Sequence, residues 1–137
     1  MLLATAHLDS GAQRYAQTIH VGRHTIEADE HAELGGTDAG ATPFGLLLSA
    51  LAACTSITLQ MYADRKGWDI GALHVDLVMT RDNEVESIAR TIKVESKVTP
   101  EQRTRLAEIA EKTPVTLALK AGFTISTELT ETAAART

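Results

Sequence analysis

The most constraining feature of this chain is an uncharged stretch of about 21 residues, positions 43–63, in a protein of 137 residues. Thr42 and Pro43 suit the N-cap and the first helical position. Charged residues 64–66 followed by Gly67 are typical of a helix end, where cations and a glycine cap satisfy the last carbonyls. The sequence therefore predicts one long helix, roughly 36 Å from end to end.

The same stretch is long enough to cross a bilayer, so a membrane helix must be weighed. We interpret it as a soluble helix, because it contains Gly45, Ser49 and Gln60 and has no flanking cluster of Lys or Arg. A helix that is apolar on every face belongs at the centre of a core or of an oligomer. One small sheet and two short helices cannot cover it, so we predict an obligate homodimer and no membrane partner.

Cys54 is the only cysteine and lies in the middle of this predicted helix. A free cysteine commonly fills space in a core, whereas a reactive thiol must be held as the thiolate. The dipole of its own helix helps little, since that effect fades within the first turn. From the residues alone, an inert core residue and a reactive thiol both stay open.

Composition and charge exclude several classes of protein. The net charge is −5 and no basic stripe is present, which argues against nucleic-acid binding. A single cysteine excludes a disulfide scaffold. Met1-Leu2-Leu3 lacks a basic n-region, so we expect no secretory leader and a cytoplasmic protein. The length fits a single domain, residues 1–137.

The histidines offer no metal-ligand spacing, so we expect surface residues, no metal and no other cofactor. They are His7, His20, His24, His31 and His74.

Hydrophobic periodicity outlines the other elements. Alternating residues predict two or three short strands that end near Ala28, and a hairpin over residues 73–80 and 88–98. Thr99-Pro100 and Thr113-Pro114 each begin a short helix. We also expect a last strand at Phe123, Ile125 and Leu129, then a frayed tail over residues 130–137. Because strands cluster instead of alternating regularly with helices, the class is α+β.

A glycine-rich segment, residues 34–41, precedes the long helix. It lacks the Gly-Lys-Ser/Thr ending of a phosphate-binding loop. We expect it to be a flexible lead-in to the helix.

Three stretches resemble one family, the osmotically inducible and organic hydroperoxide resistance proteins (OsmC/Ohr). Residues 42–55, TPFGLLLSALAACT, resemble its central helix, in which a proline begins the helix and a cysteine follows 11 positions later. Residues 58–68 continue the match to the OsmC-like branch, and residues 107–115 resemble its second motif. The resemblance implies an OsmC-like fold, with antiparallel sheets packed around a long central helix in an intertwined dimer. It also implies sites at the dimer interface that are formed from both subunits.

The resemblance further implies thiol-based reduction of peroxides. Cys54 would be the catalytic residue: it attacks the O–O bond and becomes a sulfenic acid. In the family a second cysteine resolves this acid as a disulfide, which an external dithiol then reduces.

This sequence departs from the family pattern at two places. Thr113 stands where the resolving cysteine would lie, and a hydroxyl cannot form a disulfide. Phe44 and Gly45 stand where the helical glutamate would lie. The resemblance places a catalytic arginine on the N-terminal strands, where Arg14 and Arg23 are candidates.

Two functions follow. One is a one-cysteine, thiol-dependent peroxidase that reduces organic hydroperoxides through Cys54 and needs an external thiol reductant. The other is a catalytically impaired OsmC-like binding module that holds a small hydrophobic ligand. The pKa of Cys54 discriminates them, because a peroxidatic cysteine needs a lowered pKa and an apolar pocket raises it.

Overall fold

The computed structural model describes residues 1–10 and 13–131 as a mixed α+β fold, as predicted. In chain order its elements are β1 (His7–Leu8), β2 (Gln17–Val21), β3 (His24–Ala28), a 3-10 turn (Ala32–Leu34), α1 (Pro43–Lys66), β4 (Leu73–Asp82), β5 (Val85–Val94), α2 (Pro100–Ala110) and α3 (Pro114–Ala121).

The strands form two separate antiparallel sheets. Strands β1, β2 and β3 make a meander in that order, and β4 pairs with β5 along ten residues of each. The hairpin turns at Asn83 and Glu84, which both have positive φ, 52° and 63°. Positive φ at both central residues matches the right-handed twist of the paired strands. The predicted meander and hairpin are therefore confirmed.

Helix α1 has the predicted limits because its ends are capped as the sequence indicates. The Thr42 hydroxyl accepts a hydrogen bond from the Gly45 N–H at 3.1 Å, and Gly67 ends the helix in the left-handed region with φ 72°. Helices α2 and α3 begin in the same way at Thr99 and Thr113. The three caps fix where each helix starts and therefore which residues face one another.

Only one side of α1 is covered by residues 1–10 and 13–131. Leu59, Tyr62 and Ala63 pack into a core, and the partners are on α2 and beside β4: Ile70, Leu106 and Ala110. On the opposite side Ile57 and Met61 are 58% and 59% exposed. By length and composition alone α1 could cross a membrane. However, α1 packs against α2, α3 and β4, so we continue to interpret it as the central helix of the fold.

The glycine-rich segment differs from the expectation of a flexible lead-in. The buried Asp29 carboxylate accepts hydrogen bonds from the Thr37 N–H and hydroxyl and from the Ala39 N–H, at 3.1, 2.8 and 3.1 Å. A β-carbon at Gly36 or Gly40 would lie within 2.4 Å of a backbone oxygen. The segment folds tightly against the end of β3 because these two positions are glycine.

The predicted final strand is wrong for this chain. Residues 122–131 have no regular secondary structure, and Phe123, Ile125 and Leu129 are 69%, 83% and 96% exposed. The alternating apolar residues fit a strand, but a strand also needs a neighbouring strand that pairs with its backbone N–H and C=O groups. The tail was expected over residues 130–137, of which 132–137 lie outside the described residues.

Candidate functional site

Cys54 lies in the middle of α1, half-buried and free, on the side that faces α3. Thr58, one turn later, places its hydroxyl 3.8 Å from the Cys54 Sγ. The regular rise of α1 from its cap at Thr42 sets the position of this sulfur.

The N-terminus of α3 points at the sulfur. The backbone N–H of Val115, the second residue of α3, donates to the Cys54 Sγ at 3.5 Å. The first N–H groups of a helix have no partner inside the helix, and they carry the positive end of its dipole. Sequence reasoning weighed only the dipole of α1, whereas a different helix supplies the positive end.

Arg90 is a candidate site residue that sequence reasoning missed. Its side chain is only 11% exposed and lies between β5, α1 and α3. It donates to the hydroxyls of Thr55 and Thr116 at 2.8 and 3.0 Å, and to the carbonyl of Ala110 at 2.9 Å. This places a positive charge beside the residue that follows Cys54.

The pattern of β5 carries a signal for Arg90. The side of β5 that turns inward holds Ile88, Ile92 and Val94, and Arg90 occupies the same parity. A cation at an inward position of a strand needs buried partners, which marks it as a candidate for a site.

The two arginines that the resemblance suggested lie elsewhere in this chain. The Arg14 guanidinium lies 5.2 Å above the ring of Tyr15, and Arg23 is exposed beside the turn between β2 and β3. Among the described residues, the arginine that acts electrostatically on Cys54 is Arg90.

Opposing effects set the pKa of Cys54. Burial raises it, while the Val115 N–H, the Thr113 and Thr58 hydroxyls and the charge of Arg90 lower it. The lowering effects win, so the pKa lies below the ordinary value of a thiol.

Thr113 is completely buried and has the structural role that the sequence indicates. Its side chain accepts from the Thr116 N–H, and the two hydroxyl oxygens lie 2.6 Å apart. The Thr113 hydroxyl is also among the groups that lower the pKa of Cys54. The position that the resemblance assigned to the resolving cysteine therefore lies at the start of α3, two residues before the Val115 N–H that contacts the Cys54 sulfur.

Next to Arg90 is an open groove of about 540 Å³. Phe44 is half-exposed and lies on its wall, together with apolar side chains of α1, the hairpin and α3: Leu47, Leu51, Met79, Ile88 and Leu119. Glu111 and Lys120, paired at 2.7 Å, form its polar edge. Apolar walls with charged groups at one edge suit a small molecule with a hydrocarbon part and a polar end.

The five histidines are exposed, as predicted. In the described part of the chain, no three or more His, Cys, Asp or Glu side chains are grouped so that they could hold a metal ion.

Comparisons with known proteins place the chain in a family. Residues 36–128 match the family model described as OsmC-like protein, so the chain belongs to the OsmC-like protein family. None of the proteins of curated function matches it in sequence.

Solved structures share the fold. An organic hydroperoxide resistance protein OsmC of Legionella pneumophila is 16% identical, with a TM-score of 0.66, over 88% of this chain and 90% of that one. An OsmC-like protein of Mycoplasma pneumoniae is 20% identical, with a TM-score of 0.63, over 85% of each chain. The organic hydroperoxide resistance protein OhrB of Bacillus subtilis is also 20% identical, with a TM-score of 0.59, over 87% of this chain and 91% of that one. At these identities the likeness establishes the fold.

Proposed function

We propose that this protein is a one-cysteine, thiol-dependent peroxidase that reduces organic hydroperoxides through Cys54. The observation that carries the proposal is the 3.5 Å contact between the Val115 N–H and the Cys54 Sγ at the N-terminus of α3. A helix N-terminus and a nearby guanidinium are the surroundings in which a cysteine reacts as the thiolate. An inert core cysteine would need neither.

The first step transfers one oxygen to sulfur. The Cys54 thiolate attacks the terminal oxygen of the hydroperoxide, an S–O bond forms and the O–O bond breaks. Sulfur is oxidised by two electrons to the sulfenic acid, and the alkoxide leaves as the alcohol after it takes a proton. The groove beside Arg90 would receive the hydrocarbon part of such a substrate.

An external thiol completes the cycle, because Thr113 cannot resolve the sulfenic acid. The thiol attacks the oxidised sulfur, water leaves and a mixed disulfide forms. A second thiol breaks that disulfide and releases Cys54 in its reduced form. Glutathione or a dihydrolipoyl group has the required chemistry.

The working form in this proposal is a cytoplasmic homodimer. Ile57 and Met61 are exposed apolar residues on α1, and Phe123, Ile125 and Leu129 are exposed apolar residues of the segment after α3. A second copy of this chain can cover both, since its own α1 and its own tail present the same surfaces. A strand partner from the second copy would also explain the alternation of residues 123–129.

A binding module that holds a small hydrophobic ligand is the alternative, and the apolar walls of the groove favour it. The two functions differ in whether Cys54 is oxidised and reduced again. The binding module requires no oxidation of Cys54 and no turnover.

The test combines turnover with trapping of the sulfenic acid. The protein is mixed with cumene hydroperoxide or hydrogen peroxide in the presence of glutathione or dihydrolipoamide, and peroxide loss is followed. We expect turnover of the organic hydroperoxide, a dimedone adduct at Cys54 by mass spectrometry, and neither in Cys54→Ser. The matched control is Ser56→Ala, on the same helix. Wild-type protein that consumes no peroxide with either thiol would refute the enzyme.

A further inference from the structure

Three charged side chains are joined at the polar edge of the groove beside Arg90. Glu111, the residue that follows α2, accepts from the Arg90 guanidinium at 3.2 Å with one carboxylate oxygen. Its other oxygen accepts from the Lys120 ammonium at 2.7 Å. All three residues line the groove of about 540 Å³. Glu111 therefore bridges the two cations that a ligand in this groove would meet.

The terminal nitrogens of Arg90 already have partners. Nη1 donates to the hydroxyls of Thr55 and Thr116 at 2.8 and 3.0 Å. Nη2 donates to the Ala110 carbonyl at 2.9 Å and to Glu111. These two nitrogens carry four of the five N–H donors of a guanidinium, so each of the four is in use. A ligand carboxylate would have to displace Glu111 to make the paired hydrogen bonds by which an arginine binds such a group.

Lys120 is held by the same carboxylate. Its 2.7 Å contact with Glu111 is at the short end for a hydrogen bond between charged groups. The hydrogen bond and charge of Lys120, together with Arg90, lower the pKa of Glu111 against the effect of burial. Glu111 is therefore ionised at neutral pH and offsets the positive charge of its two partners.

The remaining charged residue in the wall of the groove is also an acid. Glu86 on β5 lines the groove and contacts Arg81 at 3.4 Å. The charged lining thus consists of two acids and two bases, and the other walls are mostly apolar. An anionic ligand would lose hydration here without finding a cation that lacks a counter-ion, whereas a neutral ligand would not.

We propose that Glu111 is a specificity-determining residue that restricts the groove to neutral hydroperoxides and disfavours those that carry a carboxylate. A neutral alkyl or aryl-alkyl hydroperoxide needs only the apolar walls and leaves both contacts of Glu111 intact. An acidic one must break at least one of them. The inference rests on the proposed function of Cys54 and deepens it by naming the charge class of the substrate.

Glu111→Gln is the principal variant, because glutamine keeps the length of the side chain and one oxygen but removes the charge. Arg90 and Lys120 would then lack their shared counter-ion. The edge of the groove would become positive, which favours a ligand carboxylate. Glu108→Gln is the matched control, since it removes the same charge from an exposed acid that pairs with Arg105 at 2.8 Å and does not line the groove.

The experiment compares the binding of two matched alcohols to the full reduced chain at neutral pH, followed by amide NMR titration. One is 2-phenyl-2-propanol, the alcohol that cumene hydroperoxide would leave. The other is its para-carboxylate, which adds one negative charge to the ring. We expect shifts at amides of the groove, such as Ser87 and Leu119, and tighter binding of the neutral alcohol by wild type.

Glu111→Gln should raise the ratio of carboxylate affinity to alcohol affinity about fivefold, the scale of one partly exposed ion pair. Glu108→Gln should leave that ratio unchanged. Equal ratios in the two glutamine variants would overturn the inference, and so would binding of neither alcohol. Tighter binding of the carboxylate by wild type would also overturn it, and this comparison decides the matter even where Glu111→Gln does not fold.

Turnover of cumene hydroperoxide and of its para-carboxylate separates this inference from the proposed function. Preference for the neutral alcohol without peroxide turnover would support the role of Glu111 in ligand choice and refute the peroxidase. Turnover of both hydroperoxides with equal kcat/KM would support the peroxidase and overturn the role of Glu111.

Discussion

The guanidinium of Arg90 lies 2.8 Å from the hydroxyl of Thr55, the residue that follows Cys54 on α1. Thr55 is completely buried and donates onward to the Leu51 carbonyl at 2.6 Å. A cation on β5 is thereby fixed against the turn of α1 that carries the sulfur. This contact ties the hairpin to the central helix and brings the charge to the site.

Arg90→Met should weaken both the fold and the reactivity of Cys54. The Ala110 carbonyl loses its guanidinium donor, a loss that costs about 1–3 kcal/mol for a buried group. The midpoint of Cys54 alkylation should also rise, because a cation that favours the thiolate is gone. Urea unfolding and the alkylation rate against pH measure the two effects. Arg81→Met, at an exposed site on β4, is the matched control, and equal behaviour of the two variants would contradict the role of Arg90.

Thr113→Cys should form a disulfide with Cys54 after one equivalent of cumene hydroperoxide. Val115, two residues after Thr113, donates its N–H to the Cys54 sulfur at 3.5 Å. The bond requires Cα atoms about 4.4–6.8 Å apart. Intact mass and a thiol count report it.

Thr99→Cys is the matched control for this disulfide. Thr99 caps α2 as Thr113 caps α3, but it lies beside Tyr62 and Lys66 near the other end of α1. A folded Thr113→Cys protein that keeps two free thiols after oxidation would contradict the arrangement of α1 and α3 around Cys54.

Ile57→Asp should convert the proposed dimer to a monomer or prevent folding. Ile57 is on the exposed face of α1, so a second copy would have to bury the new carboxylate. Light scattering and the dependence of urea unfolding on protein concentration report the change. Ala107→Asp, at an exposed position of α2, should leave both unchanged. A wild-type protein that is a stable 14.7 kDa monomer at micromolar concentration would refute the dimer.

Asp29→Asn should remove an acid-dependent part of the stability. The Ala39 N–H and the Thr37 hydroxyl, with the N–H groups of Glu30 and Thr37, lower the pKa of Asp29 to about 2 against the effect of burial. A carboxyl with a lowered pKa stabilises the fold above its unfolded-state pKa of about 3.9, and this contribution is lost as the pH falls towards 2.

Unfolding by urea between pH 7 and pH 2 measures this effect. The variant should be less stable than wild type at neutral pH and should lose less stability on acidification. Asp76→Asn, at an exposed position of β4, is the control. Parallel curves for wild type and Asp29→Asn would contradict the role of Asp29 in fixing the loop.

Local signals in the sequence determined most of the secondary structure. Helix α1 begins and ends where Thr42, Pro43 and Gly67 indicate, because caps act on backbone groups within a few residues of themselves. The hairpin followed from alternation, and α2 from its capping box. Cys54 could be named as the candidate residue from its place in the family motif.

Only the tertiary structure decided what surrounds Cys54. Arg90 and Val115 lie 36 and 61 residues away along the chain. Val115 reaches the sulfur because α3 packs against α1, and Arg90 comes close through its contact with Thr55. The same holds for the loop at Asp29, whose order depends on donors eight and ten residues later. The predicted last strand also depended on a distant segment. Residues 123–129 have the alternating pattern of a strand, but among the described residues no strand pairs with them. Caps and periodicity act locally and can be read from the sequence, whereas the charge and hydrogen bonds at a buried sulfur depend on which distant segments pack beside it.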